Sequence, residues 1–192
     1  MAKIIKIEPA ETTFSLSWMT DSRCNYSCSY CPDYLHSSTA SLKTLDELKS
    51  NWRSIFDKTT HLMLPYKLSF TGGEVTVNKN FLPFVEWIRE NYKNRIHSIG
   101  VTTNGSASTN YYLRLLAAVE YITFSSHLEF FDQDKFINTV IDVSNYARGL
   151  GKSVHVNIMD EDDQDHIINK MKIMFDQHQV FYSINPISYA NT

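Results

Sequence analysis

Cys24, Cys28 and Cys31 are the only cysteines of this 192-residue chain, and they fall within eight residues of one another. An odd number of crowded thiols is not a disulfide framework, which uses even numbers spread along a chain. Thiolates are soft ligands, suited to iron–sulfur clusters or to zinc. The run Cys-x3-Cys-x2-Cys supplies three ligands, whereas a structural zinc site closes on four. His36 is available as the fourth, so a non-catalytic zinc-binding module stays open on spacing alone. Zinc motifs more commonly pair one Cys-x2-Cys with a second, distant pair, which this chain lacks. Three thiolates on an iron–sulfur cluster would instead leave one iron without a protein ligand. An open metal position is what distinguishes a catalytic site from a closed structural one.

Further polar clusters carry possible chemistry. Gly72-Gly73-Glu74 combines glycines, which allow close backbone approach, with a carboxylate. Asn104 stands in Thr-Thr-Asn-Gly, where Asn-Gly is a turn-former in its own right. Ser125, Ser126 and Asn157 offer donors and acceptors. His127 and Glu129 are the titratable candidates for substrate contact, as catalytic acid, base or hydrogen-bond donor. His155 alternates with Val154 and Val156 and is assigned no role. The acidic run over residues 160–165 favours the N-terminus of a following helix through its dipole. Its charge would repel a phosphate backbone and counts against a nucleic-acid substrate.

The elements that must position these residues alternate. Short apolar runs predict strands over residues 14–19, 67–70, 97–102, 121–125, 154–159 and 180–185. Between them, apolar residues at helical spacing predict helices over 42–56, 81–92, 110–118, 135–149 and 166–175, with Leu42, Leu45, Leu48, Trp52 and Phe56 marking the first stripe. Glycines at 149 and 151 suit the C-terminal end of the fourth helix. Six strands and five helices in alternation are the signature of repeated βαβ units, expected to form an α/β fold: a partial (β/α)6, TIM-like barrel of parallel strands. The cysteines and the other polar clusters all follow strand ends, which in such barrels is the active-site rim. No linker divides the chain, so residues 1–192 are expected to form a single domain. It stops after the sixth strand, which fits either a minimal protein or part of a longer one.

Composition agrees with an ordinary globular protein: 43% hydrophobic, 20% charged, formal net charge −3. The N-terminus shows no secretory pattern and no apolar run reaches a membrane span, so a cytoplasmic protein with no membrane partner is expected.

The cysteine run after the first strand, with the aromatic Tyr30 just before the last cysteine, resembles the radical S-adenosylmethionine enzymes. The resemblance implies that Cys24, Cys28 and Cys31 hold three irons of a 4Fe-4S cluster, and that S-adenosylmethionine chelates the fourth through its amino and carboxylate groups. One-electron reduction would cleave the cofactor to methionine and a 5'-deoxyadenosyl radical, which abstracts hydrogen from a peptide or small molecule. Gly72, Gly73 and Glu74 would contact the methionine amino group and Tyr30 the adenine. Ser125 and Asn157 would meet the ribose or carboxylate, and Asn104 would lie near the cofactor. An electron donor such as flavodoxin or ferredoxin is implied as partner. The absence of a fourth cysteine excludes auxiliary clusters within this chain. Two subclasses then stand beside the general reading: a small synthase that contracts a pterin to a deazapurine, and an activase that installs a glycyl radical on a partner protein.

Overall fold

The computed structural model describes residues 12–160 and 163–187. Glu161 and Asp162 of the acidic run, and the first residues read for a targeting signal, lie outside the described residues. The elements run β1 (Phe14–Met19), α1 (Leu45–Thr59), β2 (Tyr66–Thr71), α2 (Phe81–Tyr92), β3 (Ile96–Thr103), α3 (Thr109–Ala118), β4 (Tyr121–Ser126), α4 (Gln133–Gly149), β5 (Ser153–Asp160), α5 (Asp165–Gln177) and β6 (Phe181–Pro186). All six strands pair in parallel, in sequence order, in one sheet. This is the partial (β/α)6 barrel.

Unbroken strand order with crossovers of one hand puts every helix on the same side of the sheet. Burial follows that asymmetry. Leu68, Phe70, Ile99, Val101, Ile122, Phe124, Val156 and Ile158 are all but inaccessible and join one continuous core with the helices. Each such side chain contributes about 1.5–3 kcal/mol by leaving water. Most of the alternate positions are small or polar, among them Ser17, Ser69, Thr71, Thr123, Ser125, Asn157 and Ser183. A parallel sheet covered on both faces reads as a continuous apolar run. This sheet keeps one polar, uncovered face.

The first helix departs furthest from the sequence expectation, by three residues at each end. The first helix starts at Leu45 rather than at 42, because Thr44 and Glu47 form a reciprocal capping box there. Its end is Thr59, and a 3-10 turn over Thr60–Leu62 follows. The fourth helix ends at Gly149 as the glycines imply, with Gly151 at a φ of 66° and the Lys152 N–H donating back to the Ala147 carbonyl at 2.9 Å. Among the described residues, no helix is long and apolar enough to cross a membrane.

Candidate active site

The 25 residues between β1 and α1 carry the cysteines, and main-chain bonds pin this long loop at both ends. The Cys24 N–H donates to the Ser37 carbonyl at 3.2 Å, and the Ser37 N–H to the Ser22 carbonyl at 3.0 Å. Gly73 and Glu74 donate their N–H groups to the carbonyls of Asp21 and Arg23, at 2.9 and 2.8 Å. This clasp is why both glycines are needed. A Cβ on Gly72 would meet the Asp21 carbonyl oxygen at 2.4 Å, and one on Gly73 the Arg23 carbonyl oxygen at 2.3 Å. The carboxylate of Asp21, itself buried, accepts from the Lys43 N–H at 3.1 Å and from Asn78 Nδ2 at 2.9 Å, with the Lys43 ammonium 3.3 Å away.

The loops after β1, β2 and β3 and the end of β4 enclose a cavity of about 190 Å³. Cys24, Cys28 and Cys31 all line it, together with Gly72, Gly73, Asn104, Ser125 and His127 from the sequence-based set. Tyr26 and His36 join them. A second cavity, of about 660 Å³, lies against the same loop and shares Cys24, Tyr26 and His36 with the first.

Four residues singled out from the sequence are placed elsewhere. Glu74 is 2% exposed, and both its oxygens are occupied. Oε1 accepts from the Thr76 N–H at 2.9 Å and the Thr103 hydroxyl at 2.8 Å, and Oε2 from the Asn104 N–H at 2.6 Å. Its carboxylate therefore ties the β2 loop to the β3 loop. Burial pushes its carboxyl above the ordinary range, against the pull of those donors. Glu129 turns onto the cysteine loop: it accepts the Ser29 N–H at 2.9 Å and also bonds the Ser29 hydroxyl. The Tyr30 ring stacks on His127 with centroids 6.0 Å apart, and its hydroxyl meets His127 Nδ1 at 2.7 Å. Asn157 accepts from Ser183 on β6 at 3.2 Å, beside a 3.0 Å contact between Ser183 and His155.

Sequence reasoning missed Tyr26, the aromatic that does line the cavity; it stacks on Phe130 at 5.5 Å and meets the His127 ring edge-on. It also missed the Asp21–Lys43–Asn78 network, whose members are up to 57 residues apart in the chain. His127 is held neutral, burial pushing its imidazole down to about 4 against the opposing pull of Glu129.

The donor set suits an iron–sulfur cluster. The three cysteines are unpaired and line one cavity. The Tyr26 N–H points at Cys24 Sγ from 3.3 Å, and Asn104 Nδ2 lies 4.0 Å from it, placing amide donors where a thiolate would form. Burial raises all three thiols above their ordinary values, Cys28 to about 12. Thiolates there require compensating positive charge, which iron supplies. Among the described residues, no three His, Cys, Asp or Glu side chains gather round one point as a single metal ion requires.

No family model matches the chain. Curated relatives do. The GTP 3',8-cyclase of Pasteurella multocida is 39% identical over 85 residues, which are 43% of this chain and 23% of that protein. The GTP 3',8-cyclase of Photorhabdus laumondii is 38% identical over 84 residues, 43% of this chain and 24% of that protein. The chain thus spans about a quarter of the length of the curated relatives it matches. Among solved structures, Streptococcus suis SuiB bound to precursor peptide SuiA has a TM-score of 0.67 at 15% identity, over 92% of this chain and 40% of that one. BtrN in complex with AdoMet and 2-DOIA has a TM-score of 0.59 at 16% identity, over 92% and 71%. At these identities the structural likeness is one of fold. Fold and site define a partial α/β barrel with a cysteine-lined cavity at the C-terminal ends of its strands. Together with the sequence matches, they support the resemblance to the radical S-adenosylmethionine superfamily.

Proposed function

We propose that this chain is an enzyme in which Cys24, Cys28 and Cys31 hold a 4Fe-4S cluster and S-adenosylmethionine binds beside it. The carrying observation is that all three thiols share one cavity with Gly72, Gly73, Asn104 and Ser125, residues from four different strand ends. When bound, the cluster and S-adenosylmethionine supply reductive cleavage to methionine and a 5'-deoxyadenosyl radical.

The chain's own residues bind and orient. Gly72 and Gly73 bring bare backbone to the cavity wall, where a carbonyl can accept from an ammonium group. Ser125 and the Asn104 amide add short polar side chains. Neutral His127 lines the same wall without contributing charge. The uncovered face of the sheet continues from this cavity with hydroxyl and amide side chains, which suits a polar peptide segment or small molecule as substrate. Reducing equivalents would come from a flavodoxin or ferredoxin.

Anaerobic incubation of the reconstituted protein with S-adenosylmethionine and dithionite is expected to release 5'-deoxyadenosine. A colourless, zinc-bearing protein that yields none would overturn the proposal.

A further inference from the structure

His155 and Asn157 alternate on β5 with Val154, Val156 and Ile158, whose side chains pack into the helix-side core, so both stand on the open face of the sheet. Ser183 stands on the same face of β6, in register with Asn157. Its hydroxyl donates to Asn157 Oδ1 at 3.2 Å and lies 3.0 Å from His155 Nε2. The one hydroxyl proton is committed to the amide oxygen, so the contact with the imidazole needs the proton of Nε2. His155 is thereby held as the Nε2–H tautomer, and its Nδ1 carries a bare lone pair. That nitrogen has no hydrogen-bond partner among the described residues and is not closed off from solvent. The trio begins where the cysteine-lined cavity ends. Ser125, which lines that cavity, is paired in register with Asn157, and Thr123 with His155. Neighbouring strands lie about 4.8 Å apart, so a molecule resting on the trio also reaches the cavity.

What fits this surface follows from its chemistry. The open-face positions of β4, β5 and β6 hold no Asp, Glu, Lys or Arg, which matches an uncharged ligand. An acceptor at His155 Nδ1 and donors at Asn157 Nδ2 and the Thr123 hydroxyl share one small patch. A hydroxyl answers either kind, because it donates and accepts at one atom. An extended peptide points its N–H and C=O groups sideways, toward a strand edge, rather than onto a sheet face. The Phe181 ring, 75% exposed and in register with His155, adds an apolar surface for ring C–H groups. We propose that the substrate is an uncharged, polyhydroxylated small molecule and that His155 Nδ1 accepts a hydrogen bond from one of its hydroxyls, with Ser183 and Asn157 fixing the tautomer. The inference rests on the radical-enzyme reading above and names the substrate class of that same site.

Diethyl pyrocarbonate acylates a neutral imidazole at its bare nitrogen, and peptide mass spectrometry assigns each modified histidine. The full chain is reconstituted anaerobically, given S-adenosylmethionine without reductant, and labelled alone or with a probe. Myo-inositol and glucose are the neutral polyol probes, and N-methylacetamide is the peptide-bond probe. His155 is expected to react, and at least one polyol to slow its labelling several-fold while the exposed His97 and His178 react as before. Ser183→Ala, which frees the tautomer, is expected to keep His155 reactive but to lose most of that protection. A His155 that does not react, that neither polyol protects, or that only N-methylacetamide protects overturns the inference, as does undiminished protection in Ser183→Ala. The wild-type chain decides the matter even where the variant fails to fold. A chain that bears iron and releases 5'-deoxyadenosine on reduction, yet gives one of those results, fails this inference alone. A chain that takes up no iron–sulfur cluster fails the proposed function, and the inference with it.

Discussion

The backbone of Gly73 lies so close to that of Arg23 that a Cβ there would stand 2.3 Å from the Arg23 carbonyl oxygen. The contact cannot open freely, because the N–H groups of Gly73 and Glu74 are bonded to the Asp21 and Arg23 carbonyls. Gly73→Ala must therefore push the start of the cysteine loop away from β2. The core beneath is untouched, so secondary structure is expected to survive by circular dichroism. Iron bound per chain after anaerobic reconstitution is expected to fall to less than about half of wild type, since the cradle that positions Cys24 is displaced. Full iron uptake by the variant would show that the clasp does not position the ligands.

Glu74→Gln tests the reading of Glu74 as a structural tie. The native carboxylate accepts from three donors and presents none. An amide places an NH2 group against either the Asn104 N–H or the Thr76 and Thr103 donors, leaving a donor facing a donor in a dry site. The expected loss is about 1–3 kcal/mol, visible as a thermal midpoint lowered by roughly 2–10 °C for a chain of this length. A residue that touched only a bound ligand would leave the ligand-free midpoint unchanged.

These two residues also show how far the sequence alone could reach. The alternation of apolar and polar residues that predicts β2 over 67–70 lands within one residue of Tyr66–Thr71 at each end, because the strand's periodicity is read locally. The Gly-Gly-Glu motif was equally visible, but not that its glycines serve a backbone clasp while its carboxylate turns inward. That depends on the neighbouring loop, about 50 residues earlier in the chain. The same holds for Tyr30 and Tyr26. A loop has no period, so spacing cannot tell which of two tyrosines faces the cavity. The Thr44–Glu47 capping box was written in the sequence; the apolar stripe that begins at Leu42 ran past it. Asp21, Lys43 and Asn78 carry no local signal at all, and only folding brings them together.

Glu129 touches the cysteine loop rather than the cavity, and a pair of substitutions separates positioning from proton transfer. Glu129→Gln retains an oxygen that can accept the Ser29 N–H, but cannot act as an acid or base. Glu129→Ala removes the tie altogether. The expected order for 5'-deoxyadenosine formation is wild type near Glu129→Gln, with Glu129→Ala several-fold lower and its loop cut faster by limited proteolysis. An acid or base role predicts instead that Gln and Ala fail alike.

His127 makes stability depend on pH over a defined window. Its folded value, about 4, lies below the 6.5 of a free imidazole, with burial the first cause and Glu129 opposing it. Between those values the unfolded chain binds a proton that the folded chain refuses, so stability rises with pH across the window and is lost as pH falls through it. The full effect is up to about 3 kcal/mol. The ring is enclosed by Tyr26 and Tyr30 from the cysteine loop. His127→Gln preserves size and polarity but has no proton to gain. Denaturant unfolding at pH 4.5 and pH 7 is therefore expected to show a smaller loss on acidification for His127→Gln than for wild type. The difference between the two proteins isolates the contribution of His127. Identical losses in both proteins would mean that the ring accepts its proton in the folded state.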